Sequence, residues 1–449
     1  MNANVAATVK SKVMCTFLRH GFIRCFVMAH LLRQSDVNPS NRGNLVTVST
    51  GPGSQTSLRE ANAARVIDAV RTYGSITQVE LTAVTGLSQA TISNIVKRLT
   101  NHGVLKTEGT IRSGRRAQLV SLVRSSGVLA GVQVGRRGLR VAVSDFSLAI
   151  QEQKSLPLPA NHRSDTTLDR ASMLIVEIIE AIGSNVDELS AVGITLAAPV
   201  DPESGYISIP GLLPGWEDLD VAEILSRRLN RPVAVDNDAN AAALAESRLG
   251  ALRGVDNGIY VRASYSTGAG VLIRGDIHRG ARGVAGEIGH VQVEPTGLIC
   301  QCGARGCLNT VVGADVLVES LRLSRGYSSL SDVIRGANDS DPGCRQVITD
   351  AGAQIGKVLA DYAVSFGPTH VVVGGELATT GELLLAPLRD ALAGRPLLGE
   401  SVVVEPAHLG QNAEIYGSLA LALEQAKADE GVDSPTQQAA RTAERVRGS

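Results

Sequence analysis

The chain has 449 residues, of which 44% are hydrophobic and 19% charged, as in a globular protein of two or three domains. Its net charge of −1 hides an asymmetry, because residues 1–125 contain 16 Lys and Arg against 5 Asp and Glu, and the rest contains 27 against 39. A basic end on an acidic body predicts a polyanionic partner there, with a solvated basic face as the alternative. The sequence has neither an apolar run of membrane-spanning length nor a good signal peptide, so we expect a cytoplasmic protein that does not bind a membrane.

Both ends of the chain lack the periodic apolar positions of packed helices and strands. Residues 1–55 finish in a turn-rich stretch, and we expect a disordered segment or a spurious extension from a misassigned start codon. The polar residues 426–449 have no packing stripe and are predicted to form a flexible tail. The folded part is therefore expected between these two segments.

The basic segment 56–124 has the pattern of three short helices followed by a hairpin. The first helix, Arg59–Thr72, repeats apolar residues on one face. The second begins at Thr77, where Glu80 three residues later completes a capping box. The third begins after Ser88, a good N-cap. Its apolar stripe consists of Ile92, Ile95, Val96 and Leu99.

The opposite face of the third helix carries short polar groups and a cation but no acids, which is the chemistry that binds base edges and phosphates in a major groove. The residues on and beside this face are Ser88, Gln89, Thr91, Ser93, Asn94 and Lys97. Strands at Val104–Lys106 and Gln118–Val123 predict a hairpin whose tip carries Arg115 and Arg116. The segment is thus predicted to be a winged helix-turn-helix that binds double-stranded operator DNA. The alternative is a protein-interaction module with an incidental basic face.

Residues 127–425 alternate strand-like apolar runs with helical patterns and glycine-rich turns, which is typical of an α/β fold. Three cysteines in this part lie within eight residues, too close for an ordinary disulfide framework. With one histidine upstream, they provide three thiolates and an imidazole, the ligands of a tetrahedral zinc ion. The four residues are His290, Cys300, Cys302 and Cys307. A structural zinc ion is predicted, and buried reduced cysteines are the alternative.

Seven motifs follow one another in a fixed order along this α/β part. They are Gly131–Gly135, Gly193–Val200, Val235–Asn240, Ser266–Gly270, Gly286–His290, Cys300–Cys307 and Val371–Gly375. This ordered set resembles the ROK family of repressors, open reading frames and sugar kinases, over about residues 60–424. The resemblance implies a two-lobed, actin/hexokinase-like (ribonuclease H-like) sugar-kinase-type domain. Its N-terminal lobe is expected over residues 127–235 and its C-terminal lobe, with the zinc motif, over 236–425.

The resemblance also implies a set of sugar contacts. The family's sugar ligands correspond here to Asn237, Asp238, Glu287 and His290, and Asn309 stands where the family usually has a glutamate. In the family's kinases, the carboxylate that matches Asp238 deprotonates the attacking hydroxyl, so this residue is a vestigial base candidate. An alternative role for Asp238 is the N-cap of a helix that starts at Ala239.

Several departures from the family pattern argue against catalysis. Gln133 replaces the acid of the first phosphate-binding loop, and an amide cannot supply its charge toward magnesium. Arg136 and Arg137 replace small residues that let the backbone approach phosphates, and Ser266 replaces the first glycine of the second loop. We therefore expect no use of ATP and no enzyme activity. Leu212–Leu213 stands near a missing family asparagine, so the sugar itself stays open.

Together these features predict a transcriptional regulator, most simply a repressor of carbohydrate genes, that binds a sugar effector in a catalytically inactive ROK domain. A homodimer or homotetramer is expected, because two-fold protein symmetry matches palindromic operators. One alternative is an active ATP-dependent sugar kinase with an accessory DNA-binding domain. Another is an interaction scaffold that binds neither sugar nor DNA.

Overall fold

The computed structural model describes residues 55–101, 104–112, 115–122, 127–398 and 402–429. The chain divides between Leu58 and Arg59, and residues from Arg59 onward belong to one compact unit. The predicted N-terminal extension up to residue 54, residues 113–114 of the wing and residues 430–449 of the predicted tail lie outside the described residues. The tail prediction was wrong for residues 426–429, which are the end of a helix and include the buried Ala426. Among the described helices, none is both long and apolar enough to cross a membrane.

The N-terminal module has three helices packed on a small antiparallel sheet in the order β1-β3-β2. In chain order its elements are α1 (Gln55–Tyr73), β1 (Ser75–Thr77), α2 (Gln78–Thr85), α3 (Gln89–Asn101), β2 (Leu105–Arg112) and β3 (Arg115–Leu122). The four predicted stripe residues of α3 are all buried in the module's apolar core. The module is therefore a winged helix-turn-helix, as the sequence predicts.

Local side-chain chemistry sets the ends of these helices. The Glu80 backbone N–H donates to Thr77 Oγ1 at 3.3 Å, and the Thr77 backbone N–H donates to Glu80 Oε2 at 2.8 Å, which confirms the capping box. Gly86 ends α2 in the left-handed region at φ 67°. Ser88 Oγ accepts from the Thr91 backbone N–H at 3.2 Å at the start of α3.

Three elements of this module are longer than predicted. Helix α1 begins four residues before the predicted Arg59 and includes Tyr73. Both wing strands run for eight residues, with Arg112 paired to Arg115 at the outer end. The prediction followed apolar alternation, whereas the outer half of the hairpin is held by backbone pairing, which does not require that alternation.

The first lobe is built on a five-stranded mixed sheet in the order β6-β5-β4-β7-β8. Its strands are β4 (Val128–Val134), β5 (Gly138–Ser144), β6 (Ile150–Pro157), β7 (Leu189–Leu196) and β8 (Val233–Asn237). Strands β4, β7 and β8 are parallel, and β5 and β6 extend the sheet as antiparallel neighbours. Two helices complete the lobe, α4 (Ser164–Ala181) and α5 (Val221–Leu229), whose apolar faces join the sheet's core.

The second lobe has its own five-stranded mixed sheet in the order β11-β10-β9-β12-β13. Its strands are β9 (Gly258–Ala263), β10 (Thr267–Ile273), β11 (Asp276–Ile277), β12 (His370–Gly374) and β13 (Val403–Pro406). Its helices are α6 (Asp238–Leu249), α7 (Asn309–Val312), α8 (Ala314–Arg325), α9 (Leu330–Asn338), α10 (Pro342–Phe366) and α11 (Glu382–Ala393). The two α/β lobes agree with the predicted fold class.

The last helix, α12 (Ala413–Asp429), returns to the sheet of the first lobe. Glycines on β4 and β7 allow this close approach, because a Cβ on Gly193 would lie 1.9 Å from the Ser418 carbonyl oxygen and one on Gly131 would lie 2.4 Å from Ser418 Oγ. The chain therefore crosses between the lobes once after β8 and again before α12.

Candidate functional site

A cavity of about 230 Å³ lies between the two lobes. Arg136, Ala198 and Leu212 of the first lobe line it together with residues of the second. Every residue predicted to contact a sugar also lines it, namely Asn237, Asp238, Glu287, His290 and Asn309. The fold therefore brings the predicted sugar residues together in one space.

The start of α6 forms the floor of this cavity. Asn237, not Asp238, is the N-cap, because its side-chain oxygen accepts from the Ala239 backbone N–H at 2.8 Å and from Asn240 N–H at 3.2 Å. The Asn237 amide nitrogen donates to the Ala198 carbonyl at 3.1 Å. The N-cap alternative for Asp238 was wrong. Asp238 is the first residue of α6, and its side chain lines the cavity.

The ion-pair partner of Asp238 was not predicted from the sequence. Arg262, at the buried end of β9, places Nε 3.5 Å from Asp238 Oδ2 and 2.9 Å from Glu414 Oε1. Burial raises the pKa of Asp238, and Arg262 opposes that rise. The sequence offered one signal for this ion pair, an arginine within a strand of mostly apolar residues. The carboxylates that compensate it lie 24 and 152 positions away in sequence and meet it only through the fold.

Glu287 and His290 form the opposite wall. Burial, and then the nearby Asp238, raise the pKa of Glu287 to about 8, so at neutral pH this side chain carries a proton and can donate a hydrogen bond. His290 Nε2 lies 3.8 Å from Glu287 Oε2, and its other ring nitrogen faces Cys300. A donor, an acceptor and an imidazole thus share one cavity, which suits the hydroxyls of a polyol.

The predicted metal ligands also converge. One ligand atom from each of His290, Cys300, Cys302 and Cys307 lies within 4.8 Å of the other three. Cys302 Sγ and Cys307 Sγ are 3.7 Å apart, and Cys300 Sγ is 3.4 Å from His290 Nδ1. A tetrahedron with Zn–S of about 2.3 Å and Zn–N of about 2.0 Å has edges of about 3.8 and about 3.5 Å. The donor set and its spacing therefore fit a zinc ion.

The side chains of the loop that resembles the family's first phosphate-binding loop make hydrogen bonds within the protein. Gln133 is buried, and its Oε1 accepts from Arg140 Nη1 at 3.3 Å. Arg136 lines the cavity and donates to the Leu212 carbonyl at 3.3 Å. It also donates to Gln301 Oε1 in the loop of residues 300–307, which carries the three predicted cysteine ligands and is called the metal loop below. Arg136 therefore links the first lobe to the loop that carries three of the predicted metal ligands.

Arg137 and the loop Ser266–Gly270, which resembles the family's second phosphate-binding loop, also contact other residues of the protein. The Arg137 guanidinium lies 3.4 Å from Asp315 Oδ1 and 6.0 Å from the Tyr265 ring centre. The Thr267 backbone N–H donates to Asn309 Oδ1 at 2.7 Å. Asn309 therefore lines the cavity but uses its side-chain oxygen to hold the second loop.

The predicted DNA-reading residues lie on one exposed surface of α3. Ser88, Gln89, Ser93, Asn94 and Lys97 are exposed, and Thr91 is half-buried with its hydroxyl 2.8 Å from Ser88 Oγ. Arg116 is exposed in β3, and Arg115 is the first residue of that strand. The helix presents no acid on this surface.

Comparison with known proteins identifies both parts of the chain. Residues 129–425 match the sequence model of the ROK family, and residues 59–116 match that of the MarR family. The transcriptional dual regulator NagC of Escherichia coli is 30% identical over 362 residues, 76% of this chain and 88% of NagC. The xylose repressor of Bacillus subtilis is 26% identical over 374 residues, 82% of this chain and 97% of the repressor.

Solved structures show the same fold. A ROK family transcriptional regulator, homologous to the Escherichia coli Mlc protein, has a TM-score of 0.62 at 24% identity and covers 82% of this chain and 98% of its own. A ROK family glucokinase from Streptomyces griseus, in complex with glucose and AMPPNP, has a TM-score of 0.58 at 28% identity and covers 66% of this chain and 100% of its own. The chain belongs to the ROK family and carries a MarR-type winged helix-turn-helix before its sugar-kinase-like domain.

Proposed function

We propose that this protein is a DNA-binding transcriptional repressor whose effector is a sugar or sugar derivative held in the interlobe cavity. The observation that supports the proposal is that one compact unit contains both an exposed, acid-free helix face and a cavity lined by carboxyl, amide and imidazole side chains. Similar proteins are named as repressors for N-acetylglucosamine and xylose, so carbohydrate genes are the proposed targets.

In this proposal α3 enters the major groove and the wing follows the backbone. The polar side chains at the exposed start of α3 contact base edges, and the cations contact phosphates. The proposed DNA contacts are Ser88, Gln89, Thr91, Ser93, Asn94, Lys97, Arg115 and Arg116. A homodimer, or a tetramer made of two dimers, would place two such helices on a palindromic operator.

The effector is proposed to bind between Asp238 and Glu287. Asp238 accepts hydroxyl hydrogens, protonated Glu287 donates, and His290 completes the wall. Asn237 and Asn309 shape the cavity through the backbone groups that they hold. A zinc ion bound by His290 and the three cysteines would keep the imidazole at that wall and would have no chemical step of its own.

DNase footprinting tests the DNA-binding half of this proposal. Fragments upstream of the protein's own gene and of neighbouring sugar genes are probed at several salt concentrations, with and without each sugar of a panel. We expect protection of a palindromic site that one sugar changes. A lack of protection at every salt concentration contradicts operator binding.

An ATP-dependent sugar kinase is the second candidate, favoured by the position of Asp238 in the cavity and by the likeness to the glucokinase. Against it stand Gln133, which bonds to Arg140, and Arg136, which bridges to the metal loop. A coupled ADP-release assay over the same sugar panel decides between them. We expect no turnover, and turnover that Asp238→Asn abolishes would establish the kinase instead.

A further inference from the structure

Helix α6 begins in the cavity and is packed along its length. Its N-cap and first residue, Asn237 and Asp238, line the cavity, and all side chains from Asp238 to Glu246 are buried. Twelve residues at 1.5 Å each separate its ends by about 18 Å. Because a helix packed on every side moves as one body, a displacement at Asp238 reaches the opposite end.

The loop after α6 is fixed to that opposite end. Glu246 Oε2 accepts from the Ala251 backbone N–H at 2.7 Å, and its Oε1 accepts from the Leu409 N–H at 2.8 Å. The Arg253 backbone N–H donates to the Gly250 carbonyl at 3.3 Å. The position of Arg253 is therefore set by α6.

Arg253 reaches into the winged helix-turn-helix. Its guanidinium lies 5.3 Å from the centre of the Tyr73 ring, and its Nη2 is 3.4 Å from Glu80 Oε2. The side chains of Arg253 and Glu80 are 14% and 30% exposed, so solvent screens this pair less than an ordinary surface pair. We call these three residues the interdomain latch.

Tyr73 and Glu80 belong to the helices that support α3. Tyr73 is the last residue of α1, and Glu80 closes the capping box that starts α2. Helix α2 shares the module's apolar core with α3 through Leu81. Next to the latch, the Gly74 backbone packs against Ser147 of the first lobe, where a Cβ would lie 2.5 Å from the carbonyl oxygen.

We propose that the interdomain latch transmits occupancy of the cavity, through α6, to the position of α3. The latch acts as a two-state contact whose geometry differs between the empty and the occupied cavity. The identity of the signal rests on the proposed function, while the mechanical link between Asp238 and α3 does not.

Hydrogen–deuterium exchange of the full-length protein, without DNA or sugar, tests the link. Arg253→Ala should speed amide exchange in residues 78–101 by at least about fivefold, the lower end of typical coupling between sites. Arg345→Ala is the matched control, since this arginine is exposed on α10. Arg253→Gln keeps most of the side-chain length but removes the charge, and it should act in the same direction if Arg253→Ala is poorly folded.

A double-mutant cycle then tests transmission. Asp238→Asn changes the cavity end of α6 and should alter exchange in residues 78–101 in the native background. In the Arg253→Ala background that alteration should vanish. The proposal is overturned if Arg253→Ala and Arg253→Gln exchange like Arg345→Ala, or if the effect of Asp238→Asn persists unchanged without Arg253. Failure to bind DNA or sugar would contradict the proposed function and leave this result standing.

Discussion

Arg262 carries a charge into a strand whose other five residues are apolar or glycine and buried. Two carboxylates compensate it, at 2.9 Å for Glu414 and 3.5 Å for Asp238. Removing one member of such a buried set is costly, because the remaining charge stays desolvated without its partner. The cation that faces Asp238 is thus supplied by the protein itself.

Lys97 is the residue where the DNA proposal is most directly testable. Lys97→Ala should weaken operator binding at every sequence and reduce the slope of log affinity against log salt by about 1, because one phosphate contact is lost. Gel shifts at four or more salt concentrations measure that slope. Lys357→Ala, which removes an exposed lysine from α10, is the control and should leave it unchanged. An unaltered slope for Lys97→Ala removes this residue from the contacts.

At the scale of elements, the packing of α12 on the first sheet depends on glycine. Gly193→Ala would place a Cβ 1.9 Å from the Ser418 carbonyl and 2.8 Å from the Ala422 nitrogen, so helix and sheet must separate. We expect a loss of about 1–3 kcal/mol in the free energy of unfolding, measured with urea. Gly138→Ala in the same sheet meets its nearest atom at 3.6 Å and should be close to neutral. Equal stability of the two variants would contradict the packing argument.

The metal loop is an element that a bound ion would hold together. Elemental analysis of protein purified without chelators should give one zinc per chain, and Cys302→Ala should lose it together with thermal stability. Cys344→Ala is the control, because Cys344 is buried in α10 outside the cluster. If the native protein contains no zinc, the prediction of a zinc site is contradicted, and the three cysteines are reduced thiols.

At the scale of the whole molecule, the proposed ligand would contact both lobes, because residues of both line the cavity. A sugar that binds only the folded state should raise the melting temperature, and at a concentration of 100 times its Kd it stabilises by about 2.7 kcal/mol. Thermal-shift measurements over a sugar panel check this, and Asp238→Asn should abolish the shift of the active sugar. A shift that survives in Asp238→Asn would place the ligand elsewhere.

The sequence by itself determined the local features. Capping residues fixed the starts of α2 and α3, apolar periodicity marked the stripe of α3, and ordered motifs indicated the ROK domain with its Cys₃His cluster. These signals act over a few residues, since a cap or a ligand spacing is readable without knowing what packs against it. The length of the wing strands was underestimated, because their outer ends are held by backbone pairing, which leaves little trace in the pattern of side chains.

Tertiary structure decided what depends on distant partners. It paired Arg262 with Asp238 and Glu414, made Asn237 rather than Asp238 the cap of α6, returned α12 to the first lobe and placed Arg253 against Tyr73 and Glu80. A single charged or small residue has the same local pattern whether it faces solvent or a partner 150 positions away. Only the packing of the lobes decides between solvent and a distant partner. Burial makes an uncompensated charge costly, and close packing makes an added Cβ costly.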